Sequence, residues 1–294
     1  MKEEILKFRL TGGLCNKLFC LISACYISIT NKRKFVEPCF RWGKQKALFS
    51  EIYDIKHFNN VMKKYNGKQP LMLKLSQTKE KTLDKSAKFR LFRYSNKVLG
   101  KQRASHTMGR NCMNIIVMRA LKLNPKYQKI SDTFLSIHNQ IAVHFRIEKD
   151  WIRYNKRKGK ILKKKGEVLL IDKTKLLGLI HEKYKNENIF VTTGENHLEL
   201  QNDFKNLGME SNFYYNSAFN YDINAAINFD ICSRAKHFIG LSRSTFSNLV
   251  TLKRTLEGNE ENYIYNHGAV LKKRIDAGLQ CDGHNAITFK TVFV

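Results

Sequence analysis

Twice in this chain a short apolar run ends in a turn of small or polar residues and leads straight into a segment with apolar residues three and four apart. Residues 5–10 (ILKFRL) run into Thr11-Gly12-Gly13, and residues 16–30 then carry Leu18, Leu21, Ile22, Cys25 and Ile29 at helical spacing. Residues 237–240 (HFIG) run into the polar stretch 242–247, and a helical pattern follows over 246–256. Further apolar runs at 34–38, 141–145 (IAVHF) and 189–192 (IFVT) alternate with helical patterns at 110–121, 173–185, 198–207 and 224–234. Strand alternating with helix predicts parallel sheets whose ligands bind at the carboxyl ends of the strands. The expected fold is α/β, with two facing Rossmann-like domains and a cleft between them. The boundary is expected near residue 130, giving domains 1–130 and 131–294. No repeat of 20 to 50 residues is present, and the order of elements in 44–129 is not readable.

A length of 294 residues with 43% hydrophobic content can bury a substantial core, and two domains fit that size. Lys and Arg outnumber Asp and Glu by 53 to 25, a net charge of +28. Such a field attracts nucleic acid, anionic membranes and phosphorylated small molecules without specifying any chemistry. The seven cysteines have no metal or redox spacing and are expected to be mostly buried, reduced thiols, which suits a reducing compartment. The first ten residues are too charged for a signal peptide, and the apolar stretch 18–29 is too short to span a bilayer. A cytoplasmic protein, at most peripheral to an anionic membrane, is expected.

Three local constellations can carry chemistry. In Gly12-Gly13-Leu14-Cys15-Asn16 the glycines admit a close ligand, the helix start offers free N–H groups, and Asn16 can donate and accept. An ordinary turn with Asn16 as a helix cap is the plainer reading. In residues 144–151 (HFRIEKDW), Arg146 at a strand end can grip a diphosphate through two parallel hydrogen bonds, or can simply pair with Glu148 or Asp150. The stretch 242–247 (SRSTFS) places Ser242, Ser244, Thr245 and Phe246 at a helix start, where hydroxyls and N–H groups make a phosphate cradle or a plain N-cap. Asp230, on the preceding helix, can accept from a base or ribose. A fourth feature, eight basic residues from Arg153 to Lys165 without an acidic neighbour, is expected to be a solvated loop, or a surface for an acceptor, a membrane or, less readily, RNA.

No D-x-D triplet, P-loop, G-x-S-x-G elbow or metal-spaced His/Cys cluster occurs, so no metal site is expected. Residues 144–151 resemble the H-L-R-x-x-x-D-W peptide of protein O-fucosyltransferases. Residues 228–254 are similar to the nucleotide-binding segment of that superfamily. Residues 12–19 (GGLCNKLF) resemble its G-G-x-x-N-Q turn, also found in α-1,2-fucosyltransferases, with Lys17 in place of the Gln. The resemblance covers about 40 residues. It implies a GT-B fold, GDP-fucose as donor, inversion at the anomeric carbon and no metal or cofactor. It also implies that Arg146 holds the β-phosphate, that His144 contacts the nucleotide, and that Asp230 meets the guanosine. Ser244, Thr245 and Phe246 would bind diphosphate and base, with Ser242 beside them, and Asn16 would lie near the reacting sugar on the Gly12-Gly13 turn. Residues 1–130 would then serve the acceptor and residues 131–294 the GDP-sugar. Glu148 and Asp150 are the nearest candidates for a catalytic base. The acceptor is expected to be a saccharide, free or lipid-linked. The alternatives are a glycosyltransferase of the same fold with another donor, and a non-enzymatic binder of polyanions.

Overall fold

The structure, a computed structural model, describes residues 5–77, 83–84, 110–138, 141–146, 148–163, 166–168, 170–194, 197–277 and 290–294. The chain forms two compact units. Unit 1 comprises Met1–Lys129, Asn216–Ile227 and Ala277–Lys290, and unit 2 comprises Ile130–Tyr215, Asn228–Asp276 and Thr291–Val294. The helix Tyr221–Arg234 therefore gives its first half to unit 1 and its second half to unit 2.

Unit 1 has a four-stranded sheet in the order Met72–Leu73, Phe35–Val36, Ile5–Leu6, Leu83–Asp84, with all neighbours parallel. The first strand pairs over only two of the six residues in 5–10. Beyond Leu6 the chain keeps its alternation, burying Phe8 and Leu10 and exposing Lys7 and Arg9, but runs past its strand partners. The helix Leu14–Thr30 follows the glycine turn and buries Leu18, Leu21, Ile22 and Cys25. A hairpin not foreseen from the sequence, Cys39–Trp42 with Gln45–Leu48, closes through Gly43-Lys44, where Gly43 adopts φ +57°. Its strands carry Arg41, Lys46 and Gln45 on exposed positions, which hides the apolar alternation. Helices Phe49–Ile52 and Ile55–Met62 occupy part of the stretch whose order the sequence left unread, and Arg110–Ala120 lies where the helical pattern at 110–121 predicts. Asp54 caps Ile55–Met62 by accepting from the N–H groups of Lys56 and His57.

Unit 2 has five parallel strands in the spatial order Ser211–Asn212, Ile189–Thr192, Ile141–His144, His237–Gly240, Asn262–His267. The strand Val270–Ala277 then pairs antiparallel with Asn262–His267, and Lys290–Phe293 forms the edge. Numbered along the chain, the parallel strands stand 3-2-1-4-5, the doubly wound order. The core beneath them gathers Val143, Phe145, Ile180, Val191, Phe204 and Ile239.

One side chain stitches the far end of this unit. Arg254, wholly buried, donates to Asn262 Oδ1 at 2.7 Å and to the carbonyls of Lys236 (3.0 Å), Glu261 (3.3 Å), Cys232 and Ser233 (both 3.4 Å), and also to that of Ala235. Burial holds its pKa down at about 10. The carbonyls of Cys232 and Ser233 lie in the last turn of the helix Tyr221–Arg234, so the guanidinium helps to satisfy that helix end.

As far as Lys163 the basic run is a helix, not a loop: Lys149–Lys163 is continuous, and Lys164 and Lys165 lie outside the described residues. Asp150 in its first turn and Lys160 and Lys163 in its last suit the helix dipole, and Trp151 stacks on Tyr154 with centroids 5.1 Å apart. Cys15, Cys20, Cys25 and Cys232 are buried thiols and Cys39 is a half-buried one, none of them in a disulfide; the side chains of Cys112 and Cys281 lie outside the described residues. Burial pushes the Cys20, Cys25 and Cys232 thiols up, which keeps them protonated.

Candidate active site

In unit 2 the strand order reverses between Ile141–His144 and His237–Gly240. Connections leaving these two strands turn to opposite sides, so a crevice opens at their carboxyl ends. The chain delivers His144, Arg146, Glu148 and Asp150 to that edge from one strand and Ser242 to Phe246 from the other.

His144 is the bridge. Its Nδ1 lies 2.8 Å from Ser247 Oγ, and either partner can donate. Ser247 Oγ also accepts from the Leu241 N–H at 3.2 Å. Gly240 makes this approach feasible, since a Cβ there would stand 2.5 Å from Ser247 Oγ. Burial, and then the charge of Arg146, hold the His144 pKa down at about 3, so the ring is neutral at ordinary pH. It packs against Phe246 at 4.8 Å, and Phe246 in turn meets Phe229 edge-on at 5.8 Å.

Arg146 stands at the strand's end, with its backbone N–H donating to Tyr265 Oη at 3.3 Å. Its guanidinium meets Asp150 at 2.7 Å and Glu148 at 2.8 Å, and it lies over the Trp151 ring at 5.5 Å. The two carboxylates differ. Asp150 has a side chain 62% exposed, whereas Glu148 is buried and accepts from the Gly194 N–H at 2.8 Å. A Cβ at Gly194 would stand 2.8 Å from the same Glu148 oxygen. The other Glu148 oxygen is near Arg146 but out of line with its N–H groups, so the contact is an ion pair and not a hydrogen bond.

The second strand's turn is held by its own network. Ser242 Oγ donates to Glu167 at 2.9 Å and accepts from Asn266 Nδ2 at 2.9 Å, so this hydroxyl is already engaged. Arg243 grips both oxygens of Glu167 and holds its carboxyl below the ordinary range, against the effect of burial. Ser244 caps the helix Thr245–Leu256, accepting from the Ser247 N–H, and no acidic residue occupies the first turn. Thr245 and Phe246 stand half-buried at that helix start. An N-terminus without a carboxylate beside a strand-end arginine favours an anion.

Asp230 does not stand open on its helix. Its carboxylate accepts from Ser131 at 2.6 Å and from Arg234 at 3.0 Å, tying the helix Tyr221–Arg234 to Pro125–His138. Gly12, Gly13 and Asn16 belong to unit 1. Gly12 adopts φ +83° and a Cβ there would meet the Asn16 side chain at 2.9 Å, so only glycine fits. Asn16 is not the cap: Gly13 is, without a side-chain bond, and Asn16 Oδ1 is buried with no hydrogen-bond partner among the described residues. Lys17, where the resembling motif carries Gln, is fully buried and reaches both Asp222 oxygens at 2.7 Å. Burial raises the Asp222 carboxyl and Lys17 opposes that rise.

Glu167, Gly194, Ser247, Tyr265 and Asn266 thus support the site without having been singled out as site residues in the sequence. Ser247 closes the stretch 242–247 already noted, on the helix that follows it, whereas Glu167, Gly194, Tyr265 and Asn266 come from separate strands and loops and carry no motif.

The family described as GDP-fucose protein O-fucosyltransferase matches residues 21–257, most of the chain. O-fucosyltransferase 23 of Arabidopsis thaliana is 31% identical over 134 residues, 39% of this chain and 29% of that protein. The match therefore spans less than a third of that relative's length. Among solved structures, POFUT1 in complex with GDP-fucose superposes with a TM-score of 0.60 at 14% identity, covering 86% of this chain and 94% of that one. The fucosyltransferase NodZ from Bradyrhizobium gives 0.54 at 14% identity, covering 92% and 98%. These likenesses show the fold, an α/β fold of the GT-B fucosyltransferase type. With its strand-end arginine, its helix-start serine and a family match over 21–257, the chain belongs to the GDP-fucose protein O-fucosyltransferase family.

Proposed function

We propose that the chain transfers L-fucose from GDP-fucose to a hydroxyl of a saccharide acceptor, with inversion and without a metal. The observation that carries this reading is Arg146 at the topological switch point beside the carboxylate-free start of Thr245–Leu256. As the glycosidic bond breaks, charge grows on the departing β-phosphate, and a fixed guanidinium there stabilises the transition state more than the ground state. The surface pair with Asp150 is worth at most about 1 kcal/mol. A diphosphate therefore displaces Asp150 readily, while buried Glu148, anchored on Gly194, keeps the guanidinium aimed. Glu148 is in this reading a positioning residue, and the freed Asp150 is the candidate base for the acceptor hydroxyl. Neutral His144, Phe246, Thr245 and Ser244 receive the nucleotide. Asp230, held by Ser131 and Arg234, supports the nucleotide side by fixing its helix.

The test is a calorimetric titration with GDP, GDP-fucose, GDP-mannose and UDP-glucose in the presence of EDTA, with Arg146→Ala and Asp150→Asn alongside. Selective binding of GDP and GDP-fucose is expected, with Arg146→Ala losing at least about 100-fold in transfer rate. Asp150→Asn is expected to bind GDP no more weakly than the parent while transferring fucose more slowly. Binding of UDP-glucose in preference points to another donor on the same fold. Binding of no nucleotide by the folded protein refutes the reading.

A further inference from the structure

The helix Lys149–Lys163 displays a stripe of cations. Arg153, Lys156, Arg157, Lys160 and Lys163 are all exposed and lie within about 120° of arc at 100° per residue. Opposite them Trp151 is buried. Elsewhere in unit 2, basic side chains are commonly matched. Lys173 pairs with Glu199 and Asp203, Arg234 with Asp132 and Asp230, Arg243 with Glu167, Lys253 with Glu257, and Lys273 with Glu261. The stripe has no carboxylate partner among the described residues. Asp150, the acid of the same helix, faces Arg146 instead. Like charges at Arg153/Arg157 and Lys156/Lys160 also repel along the helix.

We infer that this helix docks the protein on an anionic lipid surface. Five or more cations on one face of an amphipathic helix match the headgroup layer of a membrane bearing acidic phospholipids. Ile152, 40% exposed, lies at the edge of the stripe and can enter the headgroup boundary. A single-stranded nucleic acid asks for exposed aromatic platforms among the cations. Here Trp151 is buried and Tyr154 is half-buried beneath the Arg157 guanidinium at 5.7 Å. The stripe leads away from Asp150 and Arg146 along roughly 22 Å of helix, so docking would hold unit 2's strand-end site close to a membrane surface.

The experiment is sedimentation of the full chain with phosphatidylcholine vesicles, with and without phosphatidylserine. Two triple variants are compared: Lys156→Ala/Arg157→Ala/Lys160→Ala on the stripe and Lys175→Ala/Lys205→Ala/Lys236→Ala, which removes the same charge from exposed positions elsewhere in unit 2. Circular dichroism checks that both fold. The expected result is binding only to phosphatidylserine vesicles, weakened about 100-fold by the stripe variant, at roughly fivefold per cation, and little changed by the other. Equal loss in both variants would mean that net charge alone is at work, and it overturns the inference. So does an absence of vesicle binding by the parent protein. Binding to polyuridylate that exceeds vesicle binding and disappears in the stripe variant reassigns the surface to nucleic acid and overturns it as well.

Discussion

The two strand-to-helix turns that stand out in the sequence solve one problem by opposite means. In unit 1 the turn Gly12-Gly13 enters Leu14–Thr30 with no side-chain cap, and Asn16 folds back over Gly12. Its rigidity comes from below, from the buried Lys17–Asp222 pair. In unit 2 the turn before Thr245–Leu256 is built from side chains: Ser244 caps, Ser242 is held by Glu167 and Asn266, and Ser247 reaches His144. The first turn carries no side-chain cap, and the second spends its serine hydroxyls on fixing itself, which leaves backbone N–H groups, Thr245 and Arg146 as the candidates to meet a ligand.

If that contrast is right, the turns fail differently. Removing one member of the buried pair, as in Lys17→Met, strands a carboxylate and should destabilise the protein by about 3–5 kcal/mol. Lys17→Met combined with Asp222→Leu should recover part of the loss in urea unfolding. A double variant no better than the single would mean that the pair does not support the glycine turn. The second turn is sensitive to acid instead. His144 has a folded pKa near 3, below its ordinary 6.5, so the unfolded chain binds the proton first. Stability is intact above pH 6.5 and should fall by at most about 1.4 kcal/mol per pH unit from this residue as pH drops below that. His237 and His267, also held down by burial, act with the same sign. His144→Asn should therefore flatten the decline between pH 6.5 and 5 without abolishing it, and an unchanged slope would show that the ring is not buried neutral. The smallest effect separates the caps: Ser244→Ala should cost about 1 kcal/mol. Gly13→Ser, at φ −70° and with a Cβ 3.5 Å from Tyr221 Oη, should be tolerated. A larger loss at Gly13 than at Ser244 would reverse the comparison.

Much of unit 2 could be read from the chain, because its inner strands are unbroken apolar runs. Ile189–Thr192 and His237–Gly240 lie where IFVT and HFIG predict. Helix starts were less legible: Tyr221–Arg234 begins three residues before the apolar pattern does, at polar Tyr221 and Asp222. The basic helix was hidden because Trp151 and Tyr154 make its inner face while cations fill the other positions. The placing of Arg146 at a strand end and of Ser244 to Phe246 at a helix start was legible. Their supports were not, since Lys17 finds Asp222 and Arg146 finds Tyr265 across separations that no local pattern records.

Arg254 bears on how the chain reaches its structure. Its acceptors lie between Cys232 and Asn262, all within 22 residues of it in sequence. A helix end, the entry to the strand His237–Gly240, a second helix and the start of Asn262–His267 are thus fastened by one fork of donors over short loops. Short loops close with little entropy cost. Contacts this local in sequence give the segment the low contact order that favours fast formation. A lysine at position 254 has no planar fork to reach so many carbonyls at once, so this local fastening depends on that one residue being arginine.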